Sequence, residues 1–239
     1  LVEKGQNLGL TTRVLSERKD DPAALVTNQW VKGSPKDTKD LTAFLKTISL
    51  LTFESEFADV ELIKKLAPKS LKIFPSLPHI QIFQDRLLQK TLLENSLINT
   101  SPFFEVSSPK DLNYFGDYFK YRYVLKKRFG GYDGYGTFIV KNKRQHMNLL
   151  KTNLDFKIGY IAEAFVKFDF ECACTFFRNK KNQWTHSPLV YSQQSRSKCD
   201  FVYGPIQHPA FDKIKKEIKN LMSNLDYVGA LTFEFFANN

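Results

Sequence analysis

No apolar run in this chain reaches the roughly 18 residues that a membrane-crossing helix needs, and the N-terminus lacks the succession of charged, apolar and small residues of a signal peptide. These absences predict a cytoplasmic protein with no membrane partner. Cysteine is scarce: of three in 239 residues, Cys172 and Cys174 share one face of an expected strand and Cys199 stands alone. With neither a zinc spacing nor an even disulfide framework, buried thiols are expected. Acidic residues are in deficit, 25 against 35 Lys and Arg, for a net charge of +10. A basic balance suits anionic partners. A recognition helix, an aromatic RNA-binding motif and a zinc finger are all missing, and the lysines are spread along the chain, several on the amphipathic stretch Lys213 to Lys219. That pattern argues against nucleic acid and leaves small phosphorylated ligands.

At 42% hydrophobic the chain is long enough for one large domain or two or three small ones. Leu1 to Leu8 reads as the end of a helix stopped by Gly9, and Leu10 to Leu15 as a strand, followed by a charged loop from Ser16 to Ala24. Helical spacing over Asp37 to Ile48 and Val60 to Leu66 alternates with strands Leu50 to Phe53, ending in Glu54 and Glu56, and Leu71 to Phe74. This alternation predicts a parallel sheet. Leu77 to Ser96 has the spacing of one helix, with Asp85, Arg86 and Lys90 on faces expected to be solvated. Strand Phe103 to Val106, helix Pro109 to Phe119, a hairpin, helix Lys143 to Leu150 and strand Tyr160 to Phe165 then predict a small αβ subdomain able to move as a lid. The last third reads as strands Glu171 to Arg178 and Trp184 to Tyr191, a polar loop Ser192 to Asp200, helix His208 to Leu225 and strand Tyr227 to Phe236.

Two stretches carry chemistry. The hairpin predicted between Tyr121–Leu125 and Thr137–Val140 holds four glycines within seven residues, Gly130, Gly131, Gly134 and Gly136, directly after Lys126, Lys127 and Arg128. Glycines permit positive φ and close approach of backbone N–H groups to phosphate oxygens; a plain hairpin with solvated lysines is the alternative. In the last strand Glu234 shares a face with Thr232 and Phe236. A buried carboxylate there needs a metal, a cation or strong hydrogen bonds, whereas an exposed edge strand needs none.

The glycine hairpin resembles the flap of the 5-(carboxyamino)imidazole ribonucleotide synthetases, the ATPase subunits of phosphoribosylaminoimidazole carboxylase, within the ATP-grasp family. Further blocks follow in that family's order: Leu51 to Glu56, Gln84 to Lys90, Glu163 to Glu171, Pro188-Leu189-Val190 and Leu225 to Gly229. The resemblance covers nearly the whole chain. It implies an ATP-grasp fold of mixed α/β and α+β class: a truncated N-terminal α/β (pre-ATP-grasp) domain over 1–76 without its first strand, a connecting helix over 77–101, a lid subdomain over 102–165, and a core subdomain over 166–239 that is incomplete at its C-terminus. The helix-first start and strand-last end accordingly predict a trimmed chain.

The resemblance also implies roles. Arg86 and Lys126 would contact the ATP phosphates, and Gly131, Tyr132, Asp133, Gly134, Tyr135, Gly136 and Thr137 would form the flap. Glu163, Ala164, Phe165 and Val166 would hold adenine, Glu171 the ribose hydroxyls, and Glu234 would be the first Mg²⁺ ligand. Thr137 stands where the family has Gln, Tyr191 where Glu is frequent, and Ser192 and Gln194 where it has Asn and His, Gln194 being counted with the ATP-binding set. The implied reaction uses ATP and bicarbonate to make carboxyphosphate, whose carbon dioxide carboxylates 5-aminoimidazole ribonucleotide in purine biosynthesis. A noncatalytic nucleotide-binding relative, or an ATP-grasp ligase for another acid and amine, stays open on the departures at Thr137, Ser192 and Gln194, as does a homodimer.

Overall fold

The computed structural model of the chain describes residues 1–27, 29–53, 57–131, 134–195 and 198–238. The chain divides into two units, Leu1–Gln81 and Ile82–Asn239.

The first unit contains α1 (Val2–Asn7), β1 (Val14–Ser16), α2 (Pro22–Val26), β2 (Trp30–Lys32), α3 (Thr38–Leu45), β3 (Leu50–Leu51), α4 (Val60–Leu66) and β4 (Lys72–Ile73). β3 pairs parallel with β4, as the alternation of strands and helices predicts, and β1 pairs parallel with β2, a strand not expected from the sequence; the two pairs form separate two-stranded sheets. Asp37 caps α3 by accepting from the Lys39 and Asp40 amides, and Asp59 caps α4 by accepting from Leu62 N, which satisfies N–H groups the helix itself leaves open. Between the caps, Leu41, Phe44, Leu45 and Ile63 recur at helical spacing and form the buried core, with Leu15, Val31, Leu51 and Ile73 packed on it. The strand expected from Leu10 begins only at Val14, whose amide donates to Gln29 O, and Leu10 is exposed. Glu54, Ser55 and Glu56 lie outside the described residues.

A break replaces the single helix expected over Leu77 to Ser96. Asp85 takes an extended conformation (φ −108°, ψ 112°) and its carboxylate accepts from Leu87 N, ending α5 (Leu77–Gln84) and capping α6 (Arg86–Asn95). The division between the two units falls within α5.

The second unit holds two antiparallel sheets. The first joins β5 (Phe103–Val106), β6 (Tyr123–Lys127), β7 (Thr137–Val140) and β8 (Tyr160–Ala164) in the order β5-β8-β6-β7. α7 (Pro109–Tyr118) and α8 (Lys143–Leu150) supply Leu112 and Leu149 to the core beneath it, with Val106, Tyr123, Leu125, Val140, Tyr160 and Ala162. The second sheet is built on β9 (Phe170–Arg178): β10 (Trp184–His186) and β11 (Val190–Ser195) pair along one edge and β13 (Gly229–Ala237) along the other, with β12 (Lys198–Tyr203) beyond β11. Its inner face packs Cys172, Cys174 and Phe176 against Ile218 and Met222 of α9 (Phe211–Asn224). Cys172 and Cys174 are the buried free thiols that their spacing predicts, while Cys199 is free and exposed.

Two expectations fail in this sheet. Trp184 to Tyr191 is two strands, because Pro188 has no N–H to give the ladder, so pairing stops at His186 and resumes at Val190. Of the polar loop expected over Ser192 to Asp200, Ser192 to Ser195 lie in β11 and Lys198 to Asp200 in β12, which pair antiparallel; Arg196 and Ser197 lie outside the described residues. No helix among the described residues is long and apolar enough to cross a membrane.

Candidate functional site

Side chains alternate across a strand, so the first sheet of the second unit presents two chemically different faces. Tyr123, Leu125, Tyr160 and Ala162 lie in its buried core. Lys126, opposite Thr137 on β7, and Glu163 on β8 occupy the other face. There Lys126 Nζ is 3.0 Å from Glu163 Oε1, while Glu163 Oε2 accepts from Ser101 Oγ at 2.9 Å and lies 3.3 Å from Lys90 Nζ. Lys90 Nζ also donates to Thr100 Oγ1 at 2.6 Å and to Ser101 Oγ at 2.7 Å. Burial works to raise the Glu163 carboxyl, but Lys126, Lys90 and the Ser101 hydroxyl outweigh it and hold the group below its ordinary value. Burial likewise pushes the Lys90 ammonium below its usual range, against the opposing pull of Glu163.

The glycine loop is anchored by a second set of charges. Arg86 Nη2 donates to Gly131 O at 2.7 Å, and a Cβ at Gly131 would meet that nitrogen at 2.9 Å. Arg128 grips the buried Asp85 with two guanidinium nitrogens, Nε at 3.0 Å, and reaches Glu105 with Nη1 at 2.6 Å. Gly130, Gly134 and Gly136 have φ of +68°, +79° and +75°, a region that disfavours side chains. Tyr135 is exposed, and Tyr132 and Asp133 lie outside the described residues. Ala164 ends β8, its amide donating to Pro102 O at 2.8 Å; the half-buried Val166 follows the more exposed Phe165, whose ring lies 5.9 Å from the Arg122 guanidinium carbon.

The outer face of the second sheet carries carboxylates. Glu171 on β9 sits opposite Phe236 on β13 and Ser192 on β11, and Glu234, two residues from Phe236 on the same face, is exposed. Burial, then the neighbouring Glu234 charge, push the Glu171 carboxyl above its ordinary value, while Lys126 acts in the opposite sense. Gln194 lies beyond a bulge in β11 and donates through Nε2 to Ser192 Oγ at 2.8 Å. No cluster of three or more His, Cys, Asp or Glu suited to a metal occurs among the described residues.

The structure thus brings together Lys126 with Glu163, Arg86 with Gly131, Glu171 with Glu234, and Gln194 with Ser192. It corrects the expectation that Asp85 and Lys90 are solvated: Asp85 is 2% exposed, and the Lys90 side chain 13%. Sequence reasoning also passed over Ser101, Thr100 and Glu105. An aspartate directly before an apolar helical repeat is a cap signal that marks the break at Asp85; Ser101 carries no such mark, since its carboxylate partner is 62 residues away.

A family model described as the ATP-grasp domain matches residues 91–239, and one described as the Ribonucleotide synthetase preATP-grasp domain matches residues 1–84. Among curated proteins the chain is similar to an N5-carboxyaminoimidazole ribonucleotide synthase of Staphylococcus aureus, 26% identical over all of this chain and 63% of that protein. The chain therefore spans less than two thirds of the length of such relatives. Among solved structures it resembles N5-carboxyaminoimidazole ribonucleotide synthetase from Thermus thermophilus (TM-score 0.88, 28% identity, 100% of this chain and 64% of that one). It shares its fold with the Staphylococcus aureus synthetase complexed with ADP (TM-score 0.89, 24% identity, 99% and 63%). With the ATP-grasp match covering more than half of its residues, including both sheets that carry the charged groups above, the chain belongs to the ATP-grasp family.

Proposed function

We propose that this chain provides the nucleotide-binding part of an N5-carboxyaminoimidazole ribonucleotide synthase acting in the cytoplasm in de novo purine biosynthesis. The observation that carries this reading is the Lys126 ammonium held 3.0 Å from the Glu163 carboxylate on the face of the first sheet away from its core, in a chain similar along its whole length to enzymes of that name. Phosphoryl transfer is catalysed by positioning and by fixed charge. In this role Lys126 and Arg86 bind phosphate oxygens, and the loop from Gly131 through Gly134, Tyr135 and Gly136 to Thr137 closes over them, Tyr132 and Asp133 included. The β8 exit, Glu163, Ala164, Phe165 and Val166, holds adenine, Glu171 accepts from the ribose hydroxyls, and Gln194 completes the ATP side.

Magnesium suits the outer face of the second sheet. The exposed Glu234 carboxylate offers a hard oxygen donor there, and Mg²⁺ commonly takes one or two carboxylates plus substrate phosphates. When bound, it neutralises charge on the phosphate oxygens. Bicarbonate oxygen takes the γ-phosphoryl group, giving carboxyphosphate and ADP; carboxyphosphate then splits to phosphate and carbon dioxide, and the exocyclic amine of 5-aminoimidazole ribonucleotide adds to that carbon with loss of a proton.

The test is ADP release by the full-length protein in a matrix of omissions. Release that requires both bicarbonate and 5-aminoimidazole ribonucleotide is expected. ATP binding without turnover would favour a noncatalytic relative, and turnover only with another acid would indicate a different ligase.

A further inference from the structure

The Glu163 cluster contains one more positive charge than a carboxylate needs. Two ammonium groups share it, and all three side chains are largely withdrawn from water, at 9% exposure for Glu163, 13% for Lys90 and 27% for Lys126. The two lysines are held differently. Lys90 is tethered by Thr100 and Ser101 and sits 5.6 Å from the Phe103 ring centroid. Lys126, the more exposed, is held at Glu163 and also influences Glu171 on the neighbouring sheet.

We propose that Lys90 is a positioning residue for phosphate binding: it keeps the Glu163 carboxylate neutralised and fixed, so that Lys126 can turn its charge from Glu163 onto a ligand phosphate. This rests on the nucleotide-binding reading above. If Lys126 were the sole cation at Glu163, moving it to a phosphate would strand a buried carboxylate, which is strongly unfavourable. Lys90 removes that obstacle in two ways. Its own charge stays 3.3 Å from Oε2, and its hydrogen bond to Ser101 Oγ holds the hydroxyl that donates to the same oxygen at 2.9 Å. Neither contact involves Lys126. Burial lowers the Lys90 ammonium and Glu163 acts against that effect.

The experiment is calorimetric titration of the full-length protein with ATP and, separately, with adenosine, which lacks the phosphates. Lys90→Met, Lys90→Arg, Lys126→Met and the Lys90→Met/Lys126→Met double variant are compared with the parent. Lys90→Met is expected to weaken ATP by about tenfold or more, the scale of losing one charge-assisted contact, and to weaken adenosine, whose adenine Glu163 helps to hold, by clearly less. Lys90→Arg should retain most of the ATP affinity, and the double variant should bind ATP no more weakly than Lys126→Met, because Lys90 acts through Lys126. Equal losses for ATP and adenosine would mean a purely structural role and overturn the inference, as would additive losses in the double variant. Unchanged ATP affinity in Lys90→Met would overturn it while leaving the nucleotide reading standing; a parent protein that does not bind ATP would overturn both. Should Lys90→Met fail to fold, Ser101→Ala carries the same comparison, with a smaller loss expected that is again greater for ATP than for adenosine.

Discussion

Replacing Asp85 with asparagine separates its two duties. Asparagine caps a helix as well as aspartate does, so the acceptor for Leu87 N at 2.9 Å is kept, while the charge facing Arg128 is lost. Asp85 is 2% exposed and meets Arg128 through two guanidinium nitrogens. Breaking a buried ion pair from one side typically costs about 3–5 kcal/mol. Here the Arg128 side chain is 21% exposed and retains Glu105 at 2.6 Å, so the lower end, about 3 kcal/mol, is expected. Glu105→Gln, at a partner 46% exposed, should cost under about 1 kcal/mol. The two tryptophans lie one in each unit, Trp30 and Trp184. In a Trp30→Phe background, urea unfolding followed by Trp184 fluorescence therefore reads the second unit alone. A loss below about 1 kcal/mol for Asp85→Asn would refute the view that this pair anchors the glycine loop to the start of α6.

If the glycine loop closes over a nucleotide, the amides of Gly134 and Gly136 should exchange more slowly with an ATP analogue bound; equal exchange in both states would favour a plain hairpin. Gly116→Ala should destabilise by about 1–3 kcal/mol through overpacking, because a Cβ there would lie 2.5 Å from His146 Cε1, and the ring is held by Tyr123 Oη at 2.9 Å and Asn113 Oδ1 at 3.2 Å. A melting temperature at or above that of the parent would show that the ring has room to move. Burial, only partly offset by Asp117 and reinforced by Lys143, keeps His146 neutral below the ordinary histidine value. The unfolded chain then binds the extra proton first, so stability is complete above about pH 6.5 and falls as pH drops through that value towards the lower folded one. Denaturant titrations between pH 7 and 5 should show this decline, and His146→Gln should flatten it; a slope unchanged in the variant would assign the decline to other groups.

Elements with a buried face were legible in the sequence. Val60 to Leu66, Phe103 to Val106 and Lys143 to Leu150 are found with those bounds, because caps and apolar spacing agree at the two helices and the strand is a short run rich in apolar residues. The β11–β12 hairpin was not, for a physical reason: every residue of β12 is exposed, so no buried face imposes a period of two, and its polar start reads as loop. The break at Asp85 was masked by a helical period that continues on both sides of it. In the site, resemblance pointed to Lys126, Glu163, Glu171 and Glu234 as separate entries along the chain, whereas the Lys90–Ser101–Glu163 link arises from β8 returning beside β5. Local patterns carry no record of that pairing.

The central claim is that the outer face of the second sheet serves ATP-dependent chemistry, and Glu234 tests it most directly. Glu234 is exposed beside Glu171 on a strand whose other face packs Leu231, Phe233 and Phe235 towards the core, so Glu234→Gln should leave folding intact. In the full-length protein, ADP formation with ATP, bicarbonate and 5-aminoimidazole ribonucleotide is predicted to fall by about a hundredfold or more in this variant, on the scale of removing a charge that acts on the transition state, with circular dichroism and melting temperature unchanged. Normal ADP formation by a folded Glu234→Gln protein would contradict the account and leave Glu234 an ordinary polar residue of an exposed strand.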